Sequence, residues 1–234
     1  MINAWDDPRI ANGMKQQLRW RRALMAAGKK PLGWKLAFGG PAAMQRLQIK
    51  APLVGFLLQD AVAASGSAIS FAGWKKPAAE PELTVHLGKD LQRGADRETT
   101  MTAIAGLGAA IELADVDHPS EDVEGTLARN IYQRRLILGA CDASHAGGGL
   151  AGLNARVLRN GEEMTNTSDF EALTGELITI VGHVADLLSF FGETLCAGQI
   201  IIAGSITPPI WVQAGESLVF HLEPQPPISV TFTA

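Results

Sequence analysis

The stretch of sequence most informative about the fold is Ala79-Glu80-Pro81-Glu82-Leu83-Thr84-Val85-His86-Leu87-Gly88. Successive side chains of a β-strand point to opposite faces, so this alternation predicts a strand with one polar and one apolar face. Glu80 and Glu82 share the polar face, with Cα atoms roughly 6.6 Å apart, and can therefore converge on one cation. The alternative is an exposed edge strand whose charges discourage association with other strands.

A third carboxylate interrupts an apolar run in the segment Ala110-Ile111-Glu112-Leu113-Ala114. A charge within such a run needs a partner or a metal ion, unless the strand lies at the edge of a sheet. Hard divalent cations prefer oxygen ligands. Glu80, Glu82 and Glu112 together therefore predict a site for Mg²⁺ or Mn²⁺.

A lone lysine lies among apolar neighbours in Gly33-Trp34-Lys35-Leu36-Ala37-Phe38. Partial burial lowers the pKa of a lysine and makes it suitable for acid–base chemistry, whereas an exposed ammonium on a buried stem would be structural. Asp60 follows another apolar run, Gly55–Gln59. It could orient Lys35, or it could be a turn residue that ends a strand.

The overall composition is that of a folded protein. The chain has 234 residues, of which 47% are hydrophobic and 19% are charged, which argues against bulk disorder. A formal net charge of −4 without a basic arm argues against nucleic-acid binding. No apolar run reaches the roughly 18 residues of a membrane span. The polar N-terminus and the distant Cys141 and Cys196 predict a cytoplasmic protein without a disulfide framework.

The hydrophobic periodicity predicts an α+β protein that is rich in strands. A helical segment over residues 1–30 precedes a single domain over residues 31–234. Asn160-Gly161 predicts a hairpin. The remaining predicted helices lie at 8–27, 41–47, 99–108 and 169–191, with a loop and a short helix over 117–130.

These segments, in this order, resemble the 2-keto-4-pentenoate hydratase family within the fumarylacetoacetate hydrolase superfamily. The resemblance extends from about Gly28 to the C-terminus. It rests on Gly33-Trp34-Lys35, Pro52-Leu53-Val54-Gly55-Phe56-Leu57 with Asp60, Glu80-Pro81-Glu82, Leu87-Gly88-Lys89-Asp90-Leu91, Ile111-Glu112, Leu136–Gly139, Leu195-Cys196-Ala197-Gly198-Gln199-Ile200 and Ala203-Gly204-Ser205-Ile206-Thr207-Pro208.

The resemblance implies the superfamily's mixed β-roll or sandwich, with flanking helices and a small helical N-terminal region. It implies a divalent metal ion on Glu80, Glu82 and Glu112, chelated by a small-molecule 2-oxo acid. It also implies a homo-oligomer that acts late in the meta-cleavage of aromatic compounds. By the same resemblance, Lys35 and Asp60 match the acid–base positions. The implied substrate-facing residues are Asn130, Ser205 and Thr207.

The sequence departs from the family's pattern next to the substrate. Only Asn130 remains of an Asp-Asn-Ala-Ser stretch, within Arg129-Asn130-Ile131-Tyr132-Gln133. Asp115-Val116-Asp117 stands where relatives carry Asp-Ser-Arg, so a basic side chain is missing, and Gln199 replaces an aspartate. These departures predict a divergent member with an altered substrate-facing loop.

The predicted function is a metal-dependent hydratase that adds water to a 2-hydroxy-2,4-dienoate and gives a 4-hydroxy-2-oxo acid. A 2-oxo-diacid decarboxylase of the 4-oxalocrotonate type needs nearly the same site and stays open. An acylpyruvate-type C–C hydrolase is a third possibility, which the absence of a His–Glu pair near the N-terminus disfavours. A non-catalytic 2-oxo-acid-binding relative is the alternative from another class.

Overall fold

The computed structural model describes residues 3–234, so Met1 and Ile2 of the predicted 1–30 segment lie outside the described residues. Its helices are α1 (Pro8–Ala26), α2 (Pro41–Leu47), α3 (Arg97–Ala103), α4 (Val123–Ala128) and α5 (Leu177–Phe190). Its strands are β1 (Pro31–Ala37), β2 (Leu53–Leu58), β3 (Val62–Ala63), β4 (Ser67–Ser70), β5 (Pro77–Leu87), β6 (Ile104–Asp115), β7 (Gln133–Leu138), β8 (Asn154–Arg159), β9 (Glu162–Thr167), β10 (Ile200–Ser205), β11 (Ile210–Trp211), β12 (Ser217–Glu223) and β13 (Ile228–Thr233). None of the helices in this part of the chain is long and apolar enough to cross a membrane.

The strands form two sheets. The larger sheet has the order β2-β1-β10-β5-β6-β7-β3, with β11 added beside β5, and the smaller one has the order β4-β13-β12-β8-β9. β1 pairs in parallel with β10 and β3 with β7, while β5 and β6 form the long antiparallel pair at the centre of the larger sheet. The larger sheet is therefore mixed, as an α+β fold predicts.

One face of β5 is apolar and packs in the core, and the other carries the glutamates, as the alternation of its sequence predicts. Leu83, Val85 and Leu87 belong to the main core, which also contains the apolar side of α5 and the inner residues of the smaller sheet. The opposite face carries the glutamates and looks into the curl of the larger sheet. A separate small apolar cluster fills part of that curl, formed by Leu32, Leu57, Ala110, Leu136, Ile200 and Ile202.

Helix α1 covers the open edge of the larger sheet at β2. Asp7 caps the helix by accepting a hydrogen bond from the backbone N–H of Arg9 at 2.9 Å. The buried Gln17 amide donates to the carbonyl of Val54 on β2 at 3.1 Å and to that of Leu127 at 2.9 Å. An exposed strand edge would otherwise offer unpaired backbone groups to other chains.

The predicted division of the chain into a helical segment, residues 1–30, and a domain, residues 31–234, stays a prediction.

Two predicted helices were wrong in extent. Helix α3 ends at Ala103 and β6 begins at once, because Gly106 and Gly108 allow the backbone of residues 140–142 to approach. A Cβ on either glycine would lie within 2.6 Å of a carbonyl oxygen. Helix α5 begins at Leu177 and not at residue 169, because Gly175 has a φ of 93° that ends any helical extension. The predicted hairpin is present, with Asn160 and Gly161 at φ of 52° and 84°.

Candidate active site

The register of β5 against β6 brings the three predicted glutamates together. Glu80 lies directly opposite Glu112 in this antiparallel pair, and Glu82 is two residues further along the same face of β5. Each glutamate offers a carboxylate oxygen, and these oxygens all lie within 4.8 Å of one another. Like charges directly opposite each other destabilise a sheet, so this arrangement needs a compensating positive charge.

Lys35 supplies part of that charge from the other side of the curl. Its side chain is buried, and its Nζ donates hydrogen bonds to Glu112 and, at 3.2 Å, to the carbonyl of Ile131. β1 and β6 are three strand positions apart, roughly 14 Å across a flat sheet. The side chains of Lys35 and Glu112 can form a hydrogen bond across three strand positions only because the sheet is strongly curled.

Burial and mutual repulsion shift the pKa values of these groups in the metal-free protein. Burial, opposed by Lys35 and reinforced by Glu80, raises the pKa of Glu112 to about 7. Burial also raises the pKa of Glu80, and together with the charges of Glu112 and Glu80 it raises that of Glu82 well above its usual value. Burial alone would lower the pKa of Lys35, but the surrounding carboxylates outweigh it and raise that pKa.

The cluster has the donor set of a divalent cation site. Three ionised carboxylates and one ammonium leave two negative charges uncompensated, and every anionic donor is a hard oxygen atom. The Oε2 atom of Glu112 is buried and has no hydrogen-bond partner within residues 3–234. Oε2 of Glu82 accepts from the backbone N–H of Gly204 at 2.7 Å, which holds that carboxylate in place. Glu80, Glu82 and Glu112 therefore fit a divalent metal ion.

The raised carboxyl pKa values predict how the stability of the protein depends on pH and metal. In EDTA, the folded glutamates bind protons that the unfolded chain has lost, so the contribution of this cluster to stability is greatest below about pH 5 and falls as pH rises through the pKa of Glu112, about 7. We expect the melting temperature in EDTA to fall between about pH 5 and pH 8, and saturating Mg²⁺ to stabilise the protein more at the higher pH. Differential scanning fluorimetry across this range measures both effects. Equal Mg²⁺ stabilisation at both ends would contradict the expectation.

A cavity of about 700 Å³ opens from the glutamates, and both predicted hydroxyl residues line it. Gly204, at a φ of 102°, lies where the register of β10 against β5 shifts, and this irregularity turns Ser205 toward the cavity. Ser205 Oγ donates to the carbonyl of Pro81 at 3.2 Å. Thr207 is 5% exposed, and its Oγ1 atom has no partner in the part of the chain that the structure describes. Thr207 therefore has a hydroxyl group free to bond a ligand.

The loop before α5 forms a cavity wall that the sequence analysis missed. Leu173 and Thr174 line the cavity together with the segment Phe38–Gly40, and their carbonyl oxygens pack against Gly40 and Gly39. A Cβ on Gly204 would lie 2.4 Å from Cγ2 of Thr174, so glycine at this position permits the close approach. The pair Gly39-Gly40 was the sequence signal for close packing against another segment. The helix predicted from residue 169 wrongly included Leu173 and Thr174, so the loop that packs there was not predicted.

Two basic side chains mark the outer end of the cavity and were also missed. Arg46 donates to Ser120 Oγ at 3.3 Å, and Lys76 places its Nζ 4.1 Å from the ring centroid of Trp211. Both side chains line the cavity, as do Ser120 and Trp211. In the sequence these residues are ordinary surface cations, and only the fold brings them to one opening.

Asp60 does not reach Lys35, which corrects the expectation that it orients this lysine. Lys35 pairs with Gly55 across β1 and β2, and Asp60 lies five residues beyond Gly55, roughly 16 Å along an extended chain. Its half-exposed side chain instead pairs with Lys29. The hydrogen bond from Lys29 lowers the pKa of Asp60. Glu112 and the carbonyl of Ile131 hold Lys35 in its place.

Both side-chain polar atoms of Asn130 are hydrogen-bonded to the backbone of one residue, Phe56. Its Oδ1 accepts from the backbone N–H of Phe56 at 2.7 Å, and its Nδ2 donates to the carbonyl of Phe56 at 2.9 Å. The residue is 3% exposed and is not among those that line the cavity. The structure therefore places the side chain of Asn130 on the backbone of β2 and not at the cavity wall, where the substrate contact was expected.

Comparison with known proteins agrees with this architecture. The family model described as fumarylacetoacetate (FAA) hydrolase C-terminal matches residues 35–233. A 2-hydroxyhexa-2,4-dienoate hydratase from Comamonas testosteroni is 27% identical, over 92% of this chain and 83% of the relative. A 2-keto-4-pentenoate hydratase from Dechloromonas aromatica (strain RCB) is 24% identical, over 90% of this chain and 81% of the relative.

The fold is also that of a solved enzyme. The structure of 4-oxalocrotonate decarboxylase from Pseudomonas putida G7, complexed with magnesium and adipate, superimposes with a TM-score of 0.87 and 24% identity. The match covers 99% of this chain and 90% of that one. The predicted mixed β-roll and the predicted resemblance to the hydratase family are thus confirmed. The chain belongs to the fumarylacetoacetate hydrolase family.

Proposed function

We propose that this protein is a metal-dependent hydratase that converts a 2-hydroxy-2,4-dienoate into a 4-hydroxy-2-oxo acid. The observation that carries the proposal is the carboxylate cluster of Glu80, Glu82 and Glu112 with the buried Lys35 against it, at one end of a cavity of about 700 Å³. Relatives with hydratase names, and relatives solved with magnesium, calcium or manganese, support a 2-oxo acid substrate and a divalent cation.

The three glutamates would hold Mg²⁺ or Mn²⁺. When bound, the cation supplies Lewis acidity that stabilises negative charge on the oxygen atoms of a 2-oxo acid. In the metal-free protein the neighbouring carboxylates raise the pKa of Lys35, so its Nζ holds a proton at neutral pH. Its Nζ can give that proton to carbon 5 of the dienol while the 2-hydroxyl group loses its own proton, which restores the ammonium, and the product is an α,β-unsaturated ketone. Water then adds across the carbon–carbon double bond of this ketone, with its hydroxyl group on carbon 4 and its proton on carbon 3, so the total change is the addition of one water molecule.

The rest of the cavity would bind and shield the substrate. The hydroxyl groups of Ser205 and Thr207 can bond its polar groups, and that of Thr207 has no hydrogen-bond partner among residues 3–234. Apolar side chains form much of the remaining wall and keep bulk water away from the reacting atoms, which strengthens the electrostatic interactions inside. These lining residues are Phe38, Ala42, Val116, Ile131, Leu173, Pro208 and Trp211.

Metal removal tests the proposal. We expect protein treated with EDTA and desalted to lose turnover of 2-hydroxypenta-2,4-dienoate, and added Mg²⁺ or Mn²⁺ to restore it, because a protein-held cation stabilises the developing charge. The assay follows the loss of dienol absorbance, with the metal content checked by atomic absorption. Full turnover by protein verified to be free of metal would refute the metal-dependent mechanism.

A decarboxylase of a 2-oxo diacid is the second candidate, and the cations at the cavity opening favour it. Arg46 and Lys76 could bind a second carboxylate at the far end of a substrate whose 2-oxo acid group lies at the glutamates. Loss of carbon dioxide from 2-oxohex-3-enedioate gives the same 2-hydroxypenta-2,4-dienoate that a hydratase consumes. Release of carbon dioxide from the diacid, without hydration of the dienoate, would identify this activity.

The other expectations follow the resemblance. A C–C hydrolase would need a base to activate water, and no histidine is among the cavity-lining residues in the described part of the chain. A non-catalytic binding protein would bind a 2-oxo acid together with the metal but would catalyse no reaction.

We also infer a homo-oligomeric cytoplasmic enzyme that acts on small molecules.

A further inference from the structure

The side chain of Asn130 connects the two ends of the curled larger sheet. Phe56 lies on β2, at one end of the strand order, and Asn130 lies three residues before β7, near the other end. Both hydrogen bonds of the Asn130 amide go to the N–H and carbonyl of Phe56. The amide thus takes the place of a neighbouring strand for one residue of the edge strand β2.

The same residue begins an unusual left-handed turn. Asn130, Ile131 and Tyr132 have φ values of 58°, 50° and 64° in succession. A β-branched residue such as Ile131 rarely adopts this conformation, and such strain persists only where the surrounding structure enforces it. The turn directs the carbonyl of Ile131 onto Nζ of Lys35 at 3.2 Å.

Gly55 makes room for this arrangement. It pairs with Lys35 across β1 and β2 and precedes Phe56. A Cβ on Gly55 would lie 2.9 Å from Oδ1 of Asn130 and 3.0 Å from Cγ of Lys35. The missing side chain therefore lets the asparagine and the lysine pack on the same point of β2.

From these contacts we propose that Asn130 is a positioning residue for Lys35. By binding Phe56 it fixes the left-handed turn, and the turn holds the carbonyl of Ile131 as the second acceptor for the lysine ammonium. With this carbonyl in place, Nζ has two fixed partners, Ile131 and Glu112. The role replaces the orienting function expected of Asp60, and its catalytic consequence rests on the proposed function.

The test compares wild type with Asn130→Ala and with a matched control, Asn160→Ala. Asn160 also has a positive φ and accepts a backbone hydrogen bond, from Ser217 at 2.9 Å, but it lies in the turn between β8 and β9 of the smaller sheet. Brief treatment with acetic anhydride, followed by peptide mass spectrometry, measures the modification of Lys35 against exposed Lys29 in the same sample. We expect at least a fivefold rise at Lys35 in Asn130→Ala and no rise in Asn160→Ala.

The kinetic part of the test uses the proposed substrate. Asn130→Ala should lower kcat by about 10- to 100-fold, with KM and Mg²⁺ affinity within a few-fold of wild type, as expected for a residue that orients another. If Asn130→Ala does not fold, Gly55→Ala serves instead, because its methyl group displaces both side chains. Asn130→Asp keeps one of the two bonds to Phe56 and should give an intermediate kcat.

The experiment tests the positioning role of Asn130 and the proposed hydratase function independently. Unchanged modification of Lys35 in a folded Asn130→Ala or Gly55→Ala protein would overturn the positioning role. A rise at Lys35 equal to the rise in Asn160→Ala would also overturn it, since general loosening would then be the cause. A selective rise at Lys35 in a protein that turns over no dienoate would support the positioning role and reject the proposed function.

Discussion

Replacing Lys35 by methionine should lower kcat for hydration of 2-hydroxypenta-2,4-dienoate by about 10³-fold, while Mg²⁺ affinity stays undiminished. The ammonium is the one cationic group against the carboxylate cluster in the described part of the chain, and methionine retains most of its buried stem. Removal of the positive charge also favours cation binding at the three glutamates, so lost turnover cannot come from lost metal.

The metal-free form of this variant should be less stable than metal-free wild type. Glu112 would lose its buried partner, and breaking a buried ion pair from one side typically costs about 3–5 kcal/mol. Lys29→Met is the matched control, since Lys29 pairs with Asp60 in a half-exposed position and should leave both turnover and stability near wild type. A Lys35→Met enzyme with more than a tenth of the wild-type kcat would contradict the role of this lysine.

Replacing Glu82 by glutamine should weaken Mg²⁺ binding by at least about 100-fold, because one anionic ligand of a divalent cation becomes neutral. The backbone N–H of Gly204 bonds Oε2 of Glu82, and the glutamine must turn its oxygen toward that donor to keep the bond. Its NH₂ group then faces the cation position and cannot act as a ligand. The variant therefore loses both a charge and a donor atom.

Isothermal titration calorimetry with Mg²⁺ measures this loss. Glu163→Gln is the control, because Glu163 is an exposed residue of β9 paired with Arg156 in the smaller sheet. Its Mg²⁺ affinity should equal that of wild type. Unchanged Mg²⁺ affinity in folded Glu82→Gln would remove Glu82 from the metal site and with it the central feature of the proposed mechanism.

The sequence was sufficient to predict the carboxylate cluster because short-range rules govern it. Alternation along β5 fixes the shared face of Glu80 and Glu82, and an isolated charge in the apolar strand β6 needs a partner nearby. The location of Lys35 beside this cluster followed only from the resemblance. Its contact with Glu112 depends on the curl of the sheet, which no local pattern encodes.

The errors concern residues whose role depends on distant contacts. Asp60 is a carboxylate close in sequence to β2, the strand that pairs with the strand of Lys35. It lies beyond the end of β2, away from the cavity, where it pairs with Lys29. Asn130 was predicted to face substrate, but its amide bonds Phe56, 74 residues away in sequence. Arg46, on α2, and Lys76, directly before β5, line one cavity only in the folded chain. Such groupings depend on tertiary structure.

The measurement that tests the account most directly is the product formed from 2-hydroxypenta-2,4-dienoate in H₂¹⁸O with Mg²⁺. The account predicts 4-hydroxy-2-oxopentanoate with ¹⁸O in the hydroxyl group at carbon 4, formed by wild type with Mg²⁺ and lost in EDTA and in Lys35→Met. Unchanged dienoate in the presence of wild type with Mg²⁺ bound would contradict the account, as would a product formed equally well without Lys35.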